Sequence, residues 1–477
     1  MSRKYDISSL TAHQKEVFDE IIFKIDDIIK TNMMWDNILS LSGAAGTGKT
    51  FLTAKIVKHF TQNSKYNITM TAPTHKALHV LRKNLLENGI NTVTAKTIQS
   101  FLNIKLFTDY EKGVQKFRPD KNKTNKDVSK TDILIVDESS MISAELYNYI
   151  VEAIEHDRVK AVLFIGDPYQ LLPVNSKENK IFLTRHQYVL EDVVRQAEDS
   201  YIIQLATKIR DMIMTQEFVG IQSFFMQYAD DKRILFFHNQ ESFLSHFHDS
   251  ENWHEQDKVL ASFTNRDVDA FNKLIRHEYW NDRDLNNPPA LLRGDKIIFN
   301  SAYSVNDITK FHNSEIVTIK DAKKDMFAPL GIEYWTCKAT ESVDEEEFRV
   351  IDPESQAIFN KKLSDIAKKA KKEKNKEEKK KLWEVFFKTR EAFADVKYIY
   401  ASTIHKLQGS THEKVYIDLY SLSNMKSLDY DTIYRLMYVA ISRASEDIVI
   451  LIPSFKDQTI SDLEGMFGSL SIGFCEN

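Results

Sequence analysis

Short aliphatic and β-branched runs recur along the chain, each followed by a turn and a stretch of helical periodicity. They are Ile38–Leu41, Ile68–Thr71, Ile133–Val136, Ala161–Ile165, Val259–Phe263, Tyr398–Ala401, Val415–Leu419 and Ile448–Ile452. A run that is apolar at nearly every position predicts a strand buried on both faces. Strands of that kind alternating with helices predict parallel sheets. The runs fall into two groups, before about residue 200 and after about residue 255, so the expected fold class is α/β with two lobes, each one sheet wide.

Two stretches break this pattern. Residues 103–131 are polar and lysine-rich, and Asp109–Gly113 reads as a hairpin turn between Ile104–Phe107 and Val114–Phe117. Residues 296–394 interrupt the second lobe. Their first half carries candidate strands at Lys296–Phe299, Glu315–Lys320, Glu333–Ala339 and Phe348–Ile351; Glu354–Phe393 is charged and helical in pattern. Residues 361–381 hold 11 lysines against 4 acids, a solvated helical surface or a DNA-facing or bracing arm. Trp383, Phe386, Phe387 and Phe393 follow at spacings that make an apolar helix face able to dock on another domain.

Length and charge narrow the class only slightly. A chain of 477 residues predicts about three domains. The net charge of −5 does not announce a nucleic-acid binder, yet a basic channel is compatible with that sum. Cys337 and Cys475 fit no metal or redox spacing, which points to reduced thiols and a cytoplasmic setting. No apolar run approaches the roughly 18 residues of a membrane span, and the N-terminus lacks a signal-peptide core. His238, His246, His248 and His254 cluster, but without cysteines or spaced carboxylates they read as ordinary surface histidines.

The candidate chemistry starts at Gly43-Ala44-Ala45-Gly46-Thr47-Gly48-Lys49-Thr50, a phosphate-binding P-loop between a strand and a helix. Its glycines let backbone N–H groups surround phosphates, and the helix start adds a positive dipole end. Lys49 would neutralise β/γ-phosphate charge, and the Thr50 hydroxyl would hold Mg²⁺. The strand Ile133–Val136 ends in Asp137-Glu138, which would position Mg²⁺ and deprotonate an attacking water, respectively. A further apolar strand ends in Gly166-Asp167-Pro168-Tyr169-Gln170, and Gln170 is placed to sense a γ-phosphate. ATP and Mg²⁺ are therefore the expected ligands.

With these stand Leu10-Thr11 and Gln14, Thr71–Ala77, Thr97–Ser100, Val194-Arg195-Gln196, Ala401–Ser410 and Leu436–Ala444. In this order the motifs, spanning residues 10–444, resemble superfamily 1 helicases, within the 5′→3′ branch called 1B. The resemblance implies two RecA-like lobes, 1A (1–102 and 132–200) and 2A (201–295 and 395–477). It further implies a strand-separating insertion 1B (103–131) and an insertion 2B (296–394) with an SH3-like β module and a helical arm. It places Gln14 on adenine, Arg195 and Arg443 on the γ-phosphate, and Gly409 beside the nucleotide. Single-stranded DNA would meet Pro73, Thr74, His75, Thr97 and Ser100 in one lobe. In the other it would meet Thr264, Asn265, Thr403, His405 and Lys406. The wedge residue would be Phe117 or Phe107. Gln99 and Leu407 depart from the family pattern.

The resemblance implies a monomeric ATP-dependent helicase that grips single-stranded and forked DNA, with no membrane partner, alongside replication or recombination proteins. ATP would sit between the lobes, and their closing and opening would shift the grip along the strand. Two alternatives stay open: a translocase on single-stranded DNA or RNA with little unwinding, and a non-motor P-loop switch.

Overall fold

The computed structural model describes residues 9–31, 36–120, 130–173, 180–192, 200–250, 252–306, 308–340, 346–423 and 428–454. The chain divides into two compact units, Met1–Asp199 with Asn272–Ile399, and Ser200–Phe271 with Tyr400–Asn477.

In chain order, the first strands are β1 (Ile38–Gly43), β2 (Ile68–Ala72), β3 (Thr94–Thr97), β4 (Ile104–Asp109), β5 (Val114–Pro119), β6 (Thr131–Val136), β7 (Val159–Gly166) and β8 (His186–Leu190). Six of them form one sheet in the order β3-β2-β6-β7-β1-β8, with every pair parallel. Successive side chains of a strand point to opposite faces. Ile133 and Ile135 therefore pack with Leu39, Leu41 and the helices Ala12–Thr31, Lys49–Asn63 and His75–Glu87. Leu134 and Val136 pack on the other face, with Val162, Phe164 and Ile150 of the helix Ala144–Glu155. Two covered faces explain why Ile133–Val136 and Ala161–Ile165 carry no polar alternation.

The remaining strands are β9 (Ile234–Phe237), β10 (Lys258–Ser262), β11 (Lys296–Phe299), β12 (Tyr303–Val305), β13 (Ile308–Phe311), β14 (Ile316–Phe327), β15 (Ile332–Ala339), β16 (Glu347–Ile351), β17 (Val396–Tyr398), β18 (Ala401–Thr403), β19 (His412–Asp418) and β20 (Ala444–Leu451). The second unit is built on a sheet of order β18-β10-β19-β20-β9, again parallel throughout. These two parallel sheets match the two α/β lobes expected from the sequence. The expected strand Tyr398–Ala401 is two strands: β17 pairs with β11 in the first unit, and β18 pairs with β10 in the second.

An antiparallel sheet, β16-β15-β14-β11-β17, and the ribbon β12-β13 belong to the first unit. Their core is aromatic: Phe299 stacks on Phe311 at 4.5 Å, and Phe348 meets both edge-on at 5.1 and 5.2 Å. Two helices follow, Gln356–Lys372 and Lys376–Glu391. The Asn375 side chain caps the second by accepting from Glu377 N and Glu378 N at 2.9 and 3.3 Å. The aromatic residues of this arm divide between two cores. Trp383 and Phe387 pack with Ala370 and Tyr110, whereas Phe393 packs with Ile332, Tyr334 and Phe359.

The hairpin β4-β5 forms as expected and its turn docks on the arm. Gly113 has φ +66°, and the Trp383 ring lies where a Cβ on residue 113 would stand. The rings of Tyr110 and Phe387 meet edge-on at 6.0 Å. The Gln115 amide donates to Glu391 at 2.6 Å and accepts from Arg390.

Candidate functional site

The P-loop follows β1 and leads into the helix Lys49–Asn63. Gly48 is the residue before that helix and sits at φ 83°, a left-handed conformation that costs glycine nothing. No side chain caps the helix, so its first N–H groups are left for a ligand. Gly43 is required for space: a Cβ there would lie 2.6 Å from Thr47 Oγ1 and 2.9 Å from Leu190 O. The loop holds itself in shape, since Thr47 Oγ1 donates to Ala44 O at 2.9 Å. Lys49 Nζ donates to Gly43 O at 2.6 Å and Ala44 O at 2.8 Å. The Gln14 amide donates to Thr47 O at 3.1 Å and accepts from Thr11 N at 3.2 Å, which ties its segment to the loop. Thr50 is exposed.

Parallel neighbours in the sheet bring the acidic residues to the same edge, because β6 and β7 end where β1 ends. Asp137 accepts from Glu138 N at 2.9 Å. Burial first, and then the Glu138 carboxylate, raise the Asp137 pKa above the usual carboxylate range; Lys49 opposes the rise. Such an environment favours a bound cation. Glu138 has φ 50°, left-handed for a non-glycine residue, and strain of that kind concentrates at functional positions. Gln170 is buried and its Oε1 accepts from Ser140 Oγ at 3.4 Å, linking the end of β7 to the segment after Glu138.

The candidate DNA residues follow one repeated device. Thr74 Oγ1 accepts from Ala77 N at 3.1 Å after β2, and Thr97 Oγ1 accepts from Ser100 N at 3.2 Å after β3. In the second unit Thr264 Oγ1 accepts from Asp267 N at 3.1 Å after β10, and Thr403 Oγ1 accepts from Lys406 N at 3.3 Å after β18. β3 and β2 begin the first sheet order as β18 and β10 begin the second. Each unit therefore places two threonine-capped helix starts at its first two strand ends. Helix starts are positive, N–H-rich positions suited to phosphate. Ser100, Asn265, His405 and Lys406 stand exposed at these starts, and Pro73 is buried just before one. The departures have local roles: Gln99 Nε2 donates to Pro73 O at 3.3 Å, and Leu407 is buried.

Arg443 is 7% exposed, and its guanidinium donates to Val439 O, Ser410 O and Ser442 Oγ at 3.1, 3.1 and 3.0 Å. Gly409, next to Ser410, has φ 76°. Arg195 and Cys475 lie outside the described residues. On the hairpin, Phe117 is 60% exposed, whereas Phe107 lies under the Arg118 guanidinium at 4.4 Å. The histidine group disperses: His246 meets Tyr416 OH at 3.1 Å, His248 packs on Trp253 at 4.6 Å, and His238 meets Ile452 O at 3.1 Å. Among the described residues, the one cluster of metal-ligand type is Glu333, Asp352 and Glu354, and Lys324 Nζ already lies 2.7 Å from Glu333 and 3.3 Å from Asp352. One residue escaped the sequence: His312, on the loop after β13, stacks on His75.

Residues 27–224 match a family model described as an AAA domain. The chain is 26% identical over 473 residues to the ATP-dependent DNA helicase Dda of Enterobacteria phage T4, covering 92% of this chain and 98% of that one. It is also 26% identical over 490 residues to the uncharacterized protein R530 of Acanthamoeba polyphaga mimivirus, covering 88% and 96%. A solved structure of Pif1 helicase from Bacteroides in complex with ADP-AlF3 and ssDNA aligns with TM-score 0.48 at 16% identity, over 95% of this chain and 97% of that chain. In the order of its motifs and over nearly its whole length, the chain is similar to helicases of superfamily 1B. Within that class, its similarity to Dda runs over nearly the whole length of both proteins.

Proposed function

We propose that this chain is an ATP-driven helicase that moves 5′→3′ along single-stranded DNA and separates duplex DNA. The observation that carries the reading is the pairing of devices. One sheet edge holds the P-loop with Asp137 and Glu138, and both sheets present threonine-capped helix starts at corresponding strand ends. A nucleotide switch without a polymer track has no use for the second set.

The P-loop amides and Lys49 would hold the β- and γ-phosphates, and Gln14 would read adenine. Thr50 and Asp137 would hold Mg²⁺, whose chemistry is to neutralise charge on the phosphates. The raised pKa of the Asp137 carboxyl fits a resident cation. Glu138 would take the proton of the attacking water, and Gln170 would report the γ-phosphate to the segment at Ser140. Arg443 and Arg195 would stabilise charge on the transferring phosphoryl group, an effect of about 10³–10⁵ in rate for arginines so placed. Helix starts grip phosphates without reading bases, so the track would be sequence-independent.

Under this reading the first sheet is 1A, the hairpin is 1B, the second sheet is 2A, and the antiparallel sheet with the arm is 2B. No helix among the described residues is long and apolar enough to cross a membrane. The enzyme would work as a monomer in the cytoplasm, a host cytoplasm if phage-encoded, beside replication or recombination proteins. ATP turnover measured with and without a single-stranded oligonucleotide tests the coupling. Strong stimulation is expected, and slow turnover indifferent to DNA would return the chain to the switch class.

A further inference from the structure

The two-helix arm carries positive charge that its own fold leaves unneutralised. Residues 356–391 hold thirteen Lys and Arg side chains against six Asp and Glu, in a chain whose net charge is −5. Nine of those lysines fall between Lys368 and Lys381, around the turn that joins the helices. Among the described residues, the arm's lysines form one ion pair, Lys381 with Glu378 at 3.0 Å. A helix surface that serves only solubility mixes signs at spacings of three and four residues. Here Lys368 and Lys372, then Lys376 and Lys380, repeat the same sign at that spacing, which opposes the helices they sit on.

The place of the charge matters as much as its amount. The turn of the β4-β5 hairpin docks on Trp383 and Phe387 of the arm. Lys376 precedes Trp383 by seven residues, about 10 Å of helix rise. The exposed Phe117 stands on that same docked hairpin. Lys372, Lys374, Lys376 and Lys380 are all exposed.

We propose that the lysine-rich end of the arm binds the phosphate backbone of duplex DNA ahead of the strand-separating hairpin, holding the unopened duplex against the Phe117 face. The inference rests on the helicase reading and adds a duplex site to it. Duplex DNA is the partner favoured because its charge is dense and regular, one phosphate per about 3.4 Å of each strand, which matches a stiff helical array of ammonium groups. Lysines recognise it as point charges, without sequence preference.

The test replaces Lys372, Lys374, Lys376 and Lys380 together by alanine in the full chain, with a fourfold lysine-to-arginine variant as the charge-conserving control. Binding of a blunt duplex and of a single-stranded oligonucleotide is followed by fluorescence anisotropy across a salt series. Each lost phosphate contact lowers the slope of log affinity against log salt by about 0.9 on duplex DNA. The alanine variant should lose about 3 to 4 from its duplex slope. Its single-strand affinity and DNA-stimulated ATP turnover should not change, and the arginine variant should match the parent. An unchanged duplex slope, or equal loss on both DNAs, overturns the proposal. Failure of the helicase reading would appear separately, as absence of DNA-stimulated turnover in the parent protein.

Discussion

The imidazole rings of His75 and His312 stack at a centroid separation of 4.4 Å and an interplanar angle of 26°. His75 opens the helix after β2, and His312 follows β13, 237 positions further along the chain, yet both belong to the first unit. Both residues are exposed, so the pair is a ready aromatic platform at one of the helix starts assigned to DNA. Stacking of a base on such a ring contributes about 1–3 kcal/mol. His75→Ala should therefore weaken single-stranded DNA binding by about 5- to 150-fold, while His75→Phe retains most of the affinity. Anisotropy titration with an unlabelled-competitor control measures this. Equal affinities for parent and His75→Ala would remove His75 from the DNA path.

The same ring makes stability sensitive to acid. Partial burial, followed by the charges of His312 and Arg82, lowers the His75 pKa below the ordinary histidine value of 6.5, against an opposing pull from Glu315. Between that lowered pKa and 6.5, the unfolded chain binds more protons than the folded one. The contribution of neutral His75 is thus complete above pH 6.5 and is lost as pH falls through the folded-state pKa. Thermal melting at pH 7.5 and pH 5.5 should show a smaller acid-induced drop in Tm for His75→Phe than for the parent protein. An identical drop would mean that the stacked pair does not titrate as described.

At the phosphate site, Lys49 Nζ spans two carbonyls of its own loop, Gly43 O and Ala44 O. Lys49→Ala and Glu138→Gln should each abolish ATP turnover and leave DNA affinity within about twofold, since neither side chain belongs to the helix starts proposed to grip DNA. Arg443→Ala should lower kcat by about 10³–10⁵. Steady-state ATPase assays beside anisotropy titrations separate the two activities. Substantial turnover by Glu138→Gln would move the general base elsewhere.

The hairpin offers two aromatic residues with opposite surroundings. Phe117 is exposed, and Phe107 is covered by Arg118. Opening one base-pair step costs about 1.4 kcal/mol on average, and one aromatic platform returns about 1–3 kcal/mol. Phe117→Ala should slow strand displacement by about tenfold with DNA-stimulated ATP turnover intact. Phe107→Ala should have a smaller effect. Single-turnover unwinding of a tailed duplex distinguishes them, and the reverse order would place the wedge on the Phe107 face.

The buried strands were legible because burial on both faces leaves no polar position, as in Ile133–Val136. The edge strands β3, β8 and β9 were not: Thr94–Thr97 is largely polar, His186–Leu190 opens on the polar pair His186-Gln187, Ile234–Phe237 is only four residues long, and each pairs on one side only. The break between the arm helices had a local signal, since Asn375 is followed three residues later by Glu378, the spacing of a helix start. The phosphate site was readable as a contiguous motif. The stacking of His312 on His75 was not, because nothing local in either segment encodes a contact that the fold creates across 237 positions. The four threonine caps lie between: each is a local pattern, but their equivalence needs the strand orders of both sheets.

The central claim is that ATP turnover drives directional strand separation. Its most direct measurement is displacement of a labelled strand from duplexes bearing either a 5′ or a 3′ single-stranded tail, with ATP and Mg²⁺ at one stated salt concentration, because phosphate-dominated binding is salt-sensitive. The account predicts displacement from the 5′-tailed duplex, little from the 3′-tailed one, and none from either with Lys49→Ala. Displacement from the 3′-tailed duplex alone would contradict the polarity, and no displacement from either by the parent protein would contradict the helicase itself.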